Sequence, residues 1–164
     1  MKQSKWLVVA LGNSLAGPDG FGAAVLERVC ATPDVHDVAD LLDAHTDLLG
    51  QLDRLAQYQR VLLIDAVVGL DRPGQVAVYP EEQFAQWCDT ASGCHQLSPL
   101  TAIKLLRRLH PGALPKVVLV AWSVDQVSRT VSVSETAVGA GARLVVDLLF
   151  DRDASAVASP SLTA

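Results

Sequence analysis

The feature that most constrains the fold is an almost wholly apolar run, Val61 to Val68, which contains one carboxylate, Asp65. Val and Ile favour strands, and a continuous apolar run suits a strand that is covered on both faces. Its length is ordinary for a strand and short for a helix. We therefore predict a central parallel strand with Asp65 near its carboxyl end, where open α/β sheets bind their ligands. The alternative is that Asp65 only accepts backbone hydrogen bonds from a neighbouring loop.

The remaining apolar segments alternate between strand and helix patterns. We predict further strands at Trp6 to Leu11, Val35 to Leu42, Gln75 to Tyr79 and Lys116 to Trp122. We predict helices at Gly22 to Cys30, Asp47 to Gln57, Pro99 to about His110 and Ala137 to Phe150, with a helical turn within residues 81–88. Thr46 is expected to cap the second helix, and the S-x-x-E pattern from Ser132 to Glu135 is expected to cap the last one.

This order predicts a three-layer α/β/α sandwich with a twisted, mostly parallel sheet and one antiparallel edge strand. We expect a single domain over residues 1–153 and a frayed tail over residues 154–164. Half of the 164 residues are hydrophobic, so a substantial core can form. The formal net charge is −5 without a Lys/Arg run, which argues against nucleic acid or an anionic membrane as a partner.

The compartment is read from the first strand and the cysteines. The apolar stretch from Trp6 leads directly into a turn and a helix, as a first core strand does, rather than into a cleavage site. No apolar run approaches the ~20 residues of a membrane-spanning helix. The three cysteines have no framework spacing. We expect a cytoplasmic monomer without disulfides.

Several polar residues fall in loops that leave strands at their carboxyl ends or start helices, so they share one rim of such a sheet. They are Asn13, Asp19, Asp43, His45, Asp65 and His95. Two carboxylates and an imidazole that converge there make an oxygen/nitrogen site for a divalent transition metal. Purely structural roles remain open for three of these residues: Asp19 caps the first helix, His95 donates to a backbone carbonyl, and His45 is a polar residue of the rim.

Other chemistries lack their sequence patterns. The loop Gly12 to Gly17 is neither a G-x-G-x-x-G turn nor a P-loop, and no G-x-S-x-G elbow or H-E-x-x-H pair occurs. Cys94 beside His95 suggests a thiol nucleophile, but the side chains of adjacent residues generally point apart. The sequence therefore offers no clear protein nucleophile.

Four short motifs, taken in order and spacing, resemble one family, the hydrogenase maturation endopeptidases. They are Gly12-Asn13 after the first strand, Asp19-Gly20-Phe21-Gly22, Ile64-Asp65-Ala66 with Pro73-Gly74 following, and His95-Gln96-Leu97 before a helix. The resemblance covers Leu7 to roughly Leu149. It implies an aspartyl-type endopeptidase that removes a C-terminal extension from the large-subunit precursor of a nickel–iron hydrogenase.

The resemblance also implies the site residues. By position, Asp19, Asp65 and His95 correspond to the family's nickel-binding trio. Independently of the resemblance, Asp19 or Asp65 is a candidate catalytic base wherever it is not fully occupied as a ligand. The nickel is expected to arrive in the precursor rather than as a resident cofactor. The chain departs from the family pattern at Ala10 and Pro18, and at Ala44-His45, where the family has two glycines. His45 is therefore a candidate further ligand or contact for the precursor's tail.

Two other functions remain open at this point. The loss of the loop glycines makes a non-proteolytic nickel-binding assembly module for hydrogenase maturation conceivable. An unrelated α/β domain that binds a small ligand is the third hypothesis. Cleavage of the precursor separates the first hypothesis from the second, and metal titration separates both from the third.

Overall fold

The computed structural model describes residues 3–70, 72–87, 99–112, 115–126 and 132–152. Five strands form one sheet: β1 (Gln3–Leu11), β2 (Ala39–His45), β3 (Tyr58–Val68), β4 (Val76–Pro80) and β5 (Lys116–Val124). The helices are α1 (Phe21–Cys30), α2 (Val35–Val38), α3 (Leu52–Leu55), α4 (Glu81–Phe84), α5 (Pro99–Leu109) and α6 (Glu135–Leu149). Within these ranges no helix has the length and apolarity needed to cross a membrane.

The sheet has the order β2-β1-β3-β5-β4, with β3 at its centre. The β1, β2, β3 and β5 strands run parallel, and β4 pairs antiparallel with β5 at the edge. The predicted central strand and the predicted antiparallel edge strand are therefore confirmed. Parallel strands have their carboxyl ends on one rim, which is what places the candidate site.

Alternate residues of the central strands enter two separate cores. In β3, Leu62 and Ile64 pack with α1 and α6 on one face of the sheet. Val61 and Leu63 pack with α3 and α5 on the other face. The apolar run is continuous because helices cover both faces, and this arrangement confirms the α/β/α sandwich.

The strand predicted from Val35 to Leu42 is wrong in its first half. Residues Val35–Val38 form the helical turn α2, and β2 begins at Ala39, where pairing with Trp6 of β1 starts. Asp34 reverses the chain with a φ of 64° just before this turn. Val35 and Val38 are three residues apart, so a helical turn directs both into the core, with Val35 fully buried.

Two predicted caps are also wrong. The segment expected to be one helix from Asp47 to Gln57 is a 3₁₀ turn, Leu49–Gln51, followed by α3. The Asp47 carboxylate, not Thr46, accepts the Gly50 N–H at 2.8 Å, and glycine disfavours a longer helix. The cap of α6 is Ser134, whose hydroxyl accepts the Ala137 N–H at 3.2 Å, so the S-x-x-E pattern at Ser132 falls two residues too early.

Candidate active site at the carboxyl rim of the sheet

Three neighbouring strands meet at the candidate site, where β1 ends at Leu11, β2 ends at His45, and β3 passes Asp65 before it ends at Val68. Ala10 of β1 pairs with Ile64 of β3, and Leu11 pairs with His45 of β2 across a bulge. Asp65, which follows Ile64, therefore lies at the rim beside the start of the loop after β1. The rim position predicted for Asp65 from the apolar run agrees with this register.

Asp19 is held over the end of β1 by the loop that starts at Gly12. Gly12 has a φ of 105°, and a Cβ there would overlap the Asp19 carbonyl oxygen. The Asp19 Oδ2 accepts the Asn13 N–H at 2.6 Å, and the Asn13 Oδ1 accepts the Leu15 N–H at 2.9 Å. The alternative that Asp19 caps the first helix is not supported, because α1 has Gly20 at its N-cap and no side-chain capping bond.

A close helix–strand contact brings this loop to β3. A Cβ on Gly22 would overlap the Leu11 carbonyl oxygen and lie 2.8 Å from the Ile64 carbonyl oxygen. The first turn of α1 therefore rests against the ends of β1 and β3 at a distance that only glycine permits. This contact carries Asp19, three residues earlier, towards Asp65.

The Asp65 carboxyl has a strongly perturbed pKa. Its burial, followed by the negative charge of Asp19, raises the pKa of Asp65 to about 8, against a smaller lowering from the Ala66 N–H that it accepts. Burial and then the neighbouring Asp19 charge therefore favour the protonated form of Asp65 near neutral pH. Such a pair suits either proton transfer or the binding of a cation that offsets both negative charges.

Asp43 and His45 extend the rim to the β2 side. The Asp43 Oδ1 accepts the His45 N–H at 3.0 Å and lies 3.4 Å from the His45 Nδ1. The His45 carbonyl accepts the Gly12 N–H at 2.8 Å, which joins the end of β2 to the loop that carries Asp19. The structure thus brings Asn13, Asp19, Asp43, His45 and Asp65 to one rim, as predicted.

The remaining candidate, His95, lies outside the described residues, as do Cys88 and Cys94. In the described parts of the chain no group of three or more His, Cys, Asp or Glu side chains is arranged to hold a metal. The metal-binding role of Asp19, Asp65 and His95 therefore stays a prediction.

Sequence reasoning missed the roles of two glycines and one backbone amide. Gly12 and Gly22 allow the loop and the helix to approach the strand ends, and the Asn13 N–H fixes the Asp19 carboxylate. In the sequence alone, the local signal was that Gly12 and Gly22 lie on either side of Asp19. Their function depends on contacts between segments that are distant in sequence, so a single sequence does not reveal it.

Comparisons with known proteins agree with this architecture. The family model described as HycI, hydrogenase maturation protease, matches residues 24–149, more than three quarters of the chain. No curated sequence relative matches significantly.

Solved structures of maturation proteases share the fold. HybD from Escherichia coli has 21% identity and a TM-score of 0.74, and the match covers 91% of this chain and 94% of that chain. HycI from Thermococcus kodakarensis has 17% identity and a TM-score of 0.67, with 91% and 92% covered. A hydrogenase 2 maturation peptidase from a Thaumarchaeota archaeon has 25% identity and a TM-score of 0.58, with 90% and 96% covered.

Proposed function

The chain belongs to the hydrogenase maturation protease family and is a peptidase, and from this premise we propose its reaction. It removes a C-terminal extension from the large-subunit precursor of a nickel–iron hydrogenase after nickel has been inserted. The observation that carries the proposal is the coupled pair Asp19 and Asp65 on the carboxyl rim. No separate feature of the described residues favours the non-proteolytic assembly module.

The nickel belongs to the substrate, and the rim carboxylates fit it. Asp19 and Asp65 supply oxygen donors, and a divalent cation between them would favour the ionised form of Asp65, whose pKa is raised by burial and then by the Asp19 charge. Carboxylate and imidazole ligands suit first-row divalent metals. We assign Asp19, Asp65 and His95 to the capture of the nickel that the precursor carries.

The position of α5 supports the inclusion of His95. Arg107, near the end of α5, donates to the Pro115 carbonyl just before β5 begins, so the last turn of α5 lies at the amino ends of the strands. Its first turn therefore points towards the carboxyl rim. The helix begins at Pro99, four residues after His95, a distance of chain that spans at most about 14 Å.

The described part of the site offers no evident protein nucleophile, and the proposed chemistry follows from this. Water attacks the scissile carbonyl, and Asp19 or Asp65, whichever oxygen remains free, accepts its proton. Nickel, when bound, supplies Lewis acidity to the reacting group. The Asn13 N–H holds the Asp19 carboxylate in place, and the half-buried rim limits the access of bulk water to the pair.

The test of this assignment is cleavage of nickel-loaded precursor by purified variants. Asp65→Asn and Asp19→Asn remove one negative charge each with little change in size, so we expect both to lose at least about 100-fold in rate, the lower range for general base catalysis. Asp19→Glu keeps the charge and is expected to retain part of the activity. The matched control is Asp37→Asn, an exposed carboxylate in α2. Mass spectrometry of the released extension gives the rate, and wild-type rates in both asparagine variants would refute the assignment.

A further inference from the structure

His45 occupies an unfavourable backbone conformation on the rim. Its φ is 50°, in the left-handed region that non-glycine residues rarely adopt. Its side chain is 67% exposed, so core packing does not explain why a large side chain stands there. An outlier of this kind, at the edge of a candidate active site, is a reason to ask what the side chain binds.

Asp43 orients the His45 ring. The Asp43 Oδ1 accepts the His45 N–H at 3.0 Å and lies 3.4 Å from Nδ1, so a proton on Nδ1 faces a carboxylate oxygen. In the tautomer with its proton on Nδ1, Nε2 is the hydrogen-bond acceptor of the ring. The exposed side chain can therefore offer Nε2 as an acceptor at the end of β2.

The strand order fixes the separation of this acceptor from the carboxylate pair. The β2 strand lies next to β1, and β1 lies next to β3, which carries Asp65. His45 and Asp65 both lie level with Leu11 of β1, and adjacent strands are about 4.8 Å apart, so the backbone of β2 at His45 and that of β3 at Asp65 are separated by about 10 Å. An extended peptide rises about 3.3 Å per residue and covers that distance in about three residues.

We propose that His45 is a substrate-binding residue whose Nε2 accepts a backbone N–H of the precursor, about three residues from the bond that is cut at Asp19 and Asp65. The substrate chain then lies across the rim from β3 to β2, over the loop after β1. This inference rests on the proposed function, because it assigns the contact to the same precursor. His45 contributes to binding and leaves the chemical step to the carboxylates.

The experiment measures precursor binding and cleavage in three variants. His45→Gly removes the acceptor and suits the positive φ, so the fold is preserved and the unfolding midpoint should equal or exceed that of the wild type. His45→Gln keeps an acceptor of similar reach. His36→Gln is the matched control, an exposed histidine in α2. A lost hydrogen bond predicts a rise of about 3- to 10-fold in Kd and KM for His45→Gly, with kcat within about twofold, and partial rescue in His45→Gln.

A change in the substrate tests the contact from the other side. Proline has no N–H, so a precursor with proline three residues from the cut bond, on one side or the other, should lose the same factor with the wild type. That loss should vanish in His45→Gly, because the two changes remove one interaction. Unchanged Kd and KM in His45→Gly, or a fall in kcat alone, would overturn the inference.

The outcomes separate the inference from the proposed function. If the wild type binds the precursor in a His45-dependent way but does not cleave it, the role of His45 in binding stands, whereas the proposed reaction and the spacing from a cut bond fail. If the precursor is cleaved and His45→Gly binds it normally, the reaction stands and the inference fails. Absence of binding by the wild type overturns both.

Discussion

The replacement of Asp65 by asparagine should stabilise the protein, and the gain should depend on pH. The pKa of Asp65 rises from an ordinary value of 3.8 to about 8 in the folded protein, because burial and the Asp19 charge disfavour its ionised form. Folding therefore opposes an ionisation that the unfolded chain undergoes freely. The stability that depends on the Asp65 proton is fully present below pH 4 and is lost as the pH rises towards about 8. Asparagine is neutral at every pH and can still accept the Ala66 N–H.

The magnitude follows from the interval between the two pKa values. Only the part of this interval below the pH of the measurement counts, from 3.8 to 7 at pH 7, and at about 1.4 kcal/mol per unit it sets an upper bound of about 4 kcal/mol. The Asp65 side chain keeps some contact with solvent, so we expect a gain of about 2–4 kcal/mol for Asp65→Asn at pH 7–8. At pH 4 both proteins carry a neutral group at this position, and the gain should be close to zero.

Urea unfolding at pH 4, 6 and 8, in buffer with a chelator to remove divalent cations, measures this directly. The control Asp37→Asn removes an exposed carboxylate and should change the free energy of unfolding by less than about 0.5 kcal/mol at each pH. A stability difference between Asp65→Asn and the wild type that is independent of pH would refute the reasoning about the carboxyl pair. So would destabilisation by Asp65→Asn at pH 8.

Three further perturbations test other parts of the structure. Gly12→Ala should lower the free energy of unfolding by about 2–4 kcal/mol and impair cleavage, because the new Cβ combines a positive φ with an overlap against Asp19. Gly74→Ala is the control: its φ is 85° but the space around it is open, so it should cost only the price of the backbone conformation, about 1–2 kcal/mol. Ser134→Ala should cost about 1 kcal/mol in urea unfolding, whereas Ser132→Ala should be within about 0.5 kcal/mol of the wild type. Nickel affinity, measured by calorimetry, should increase as the pH increases, by up to about tenfold per pH unit below pH 8, because Asp65 must release a proton to bind the metal. His95→Ala should weaken nickel binding, and an unchanged affinity in this variant would remove His95 from the site.

The sheet and its rim were predictable because their signals are strong and local. The run from Val61 to Val68 required a strand covered on both faces, and the alternation of elements then made the sheet parallel and placed Asp65 at the carboxyl end. The exchanged caps and the shift of the second strand from Val35–Leu42 to Ala39–His45 were not predictable. Ser132 and Ser134 are both good N-caps by residue type, and Val35 and Val38 have a spacing that a helical turn also satisfies.

The properties that suit the rim to the proposed chemistry arise only in the folded chain. Asp19 and Asp65 are far apart in sequence, and their coupling depends on the close contacts at Gly12 and Gly22. The left-handed conformation of His45 has no signal in a single sequence, since histidine rarely adopts it. His95 stays a prediction from its motif and its distance to α5.

The central claim is that a metal carried by the precursor docks on the rim carboxylates, and one measurement tests it most directly. Purified protein is incubated with nickel-loaded and nickel-free precursor at pH 7, and the C-terminal extension is followed by mass spectrometry. Nickel-loaded precursor should be cleaved while nickel-free precursor stays intact, because only the metal offsets the repulsion between Asp19 and Asp65. Equal cleavage of both forms would contradict the account.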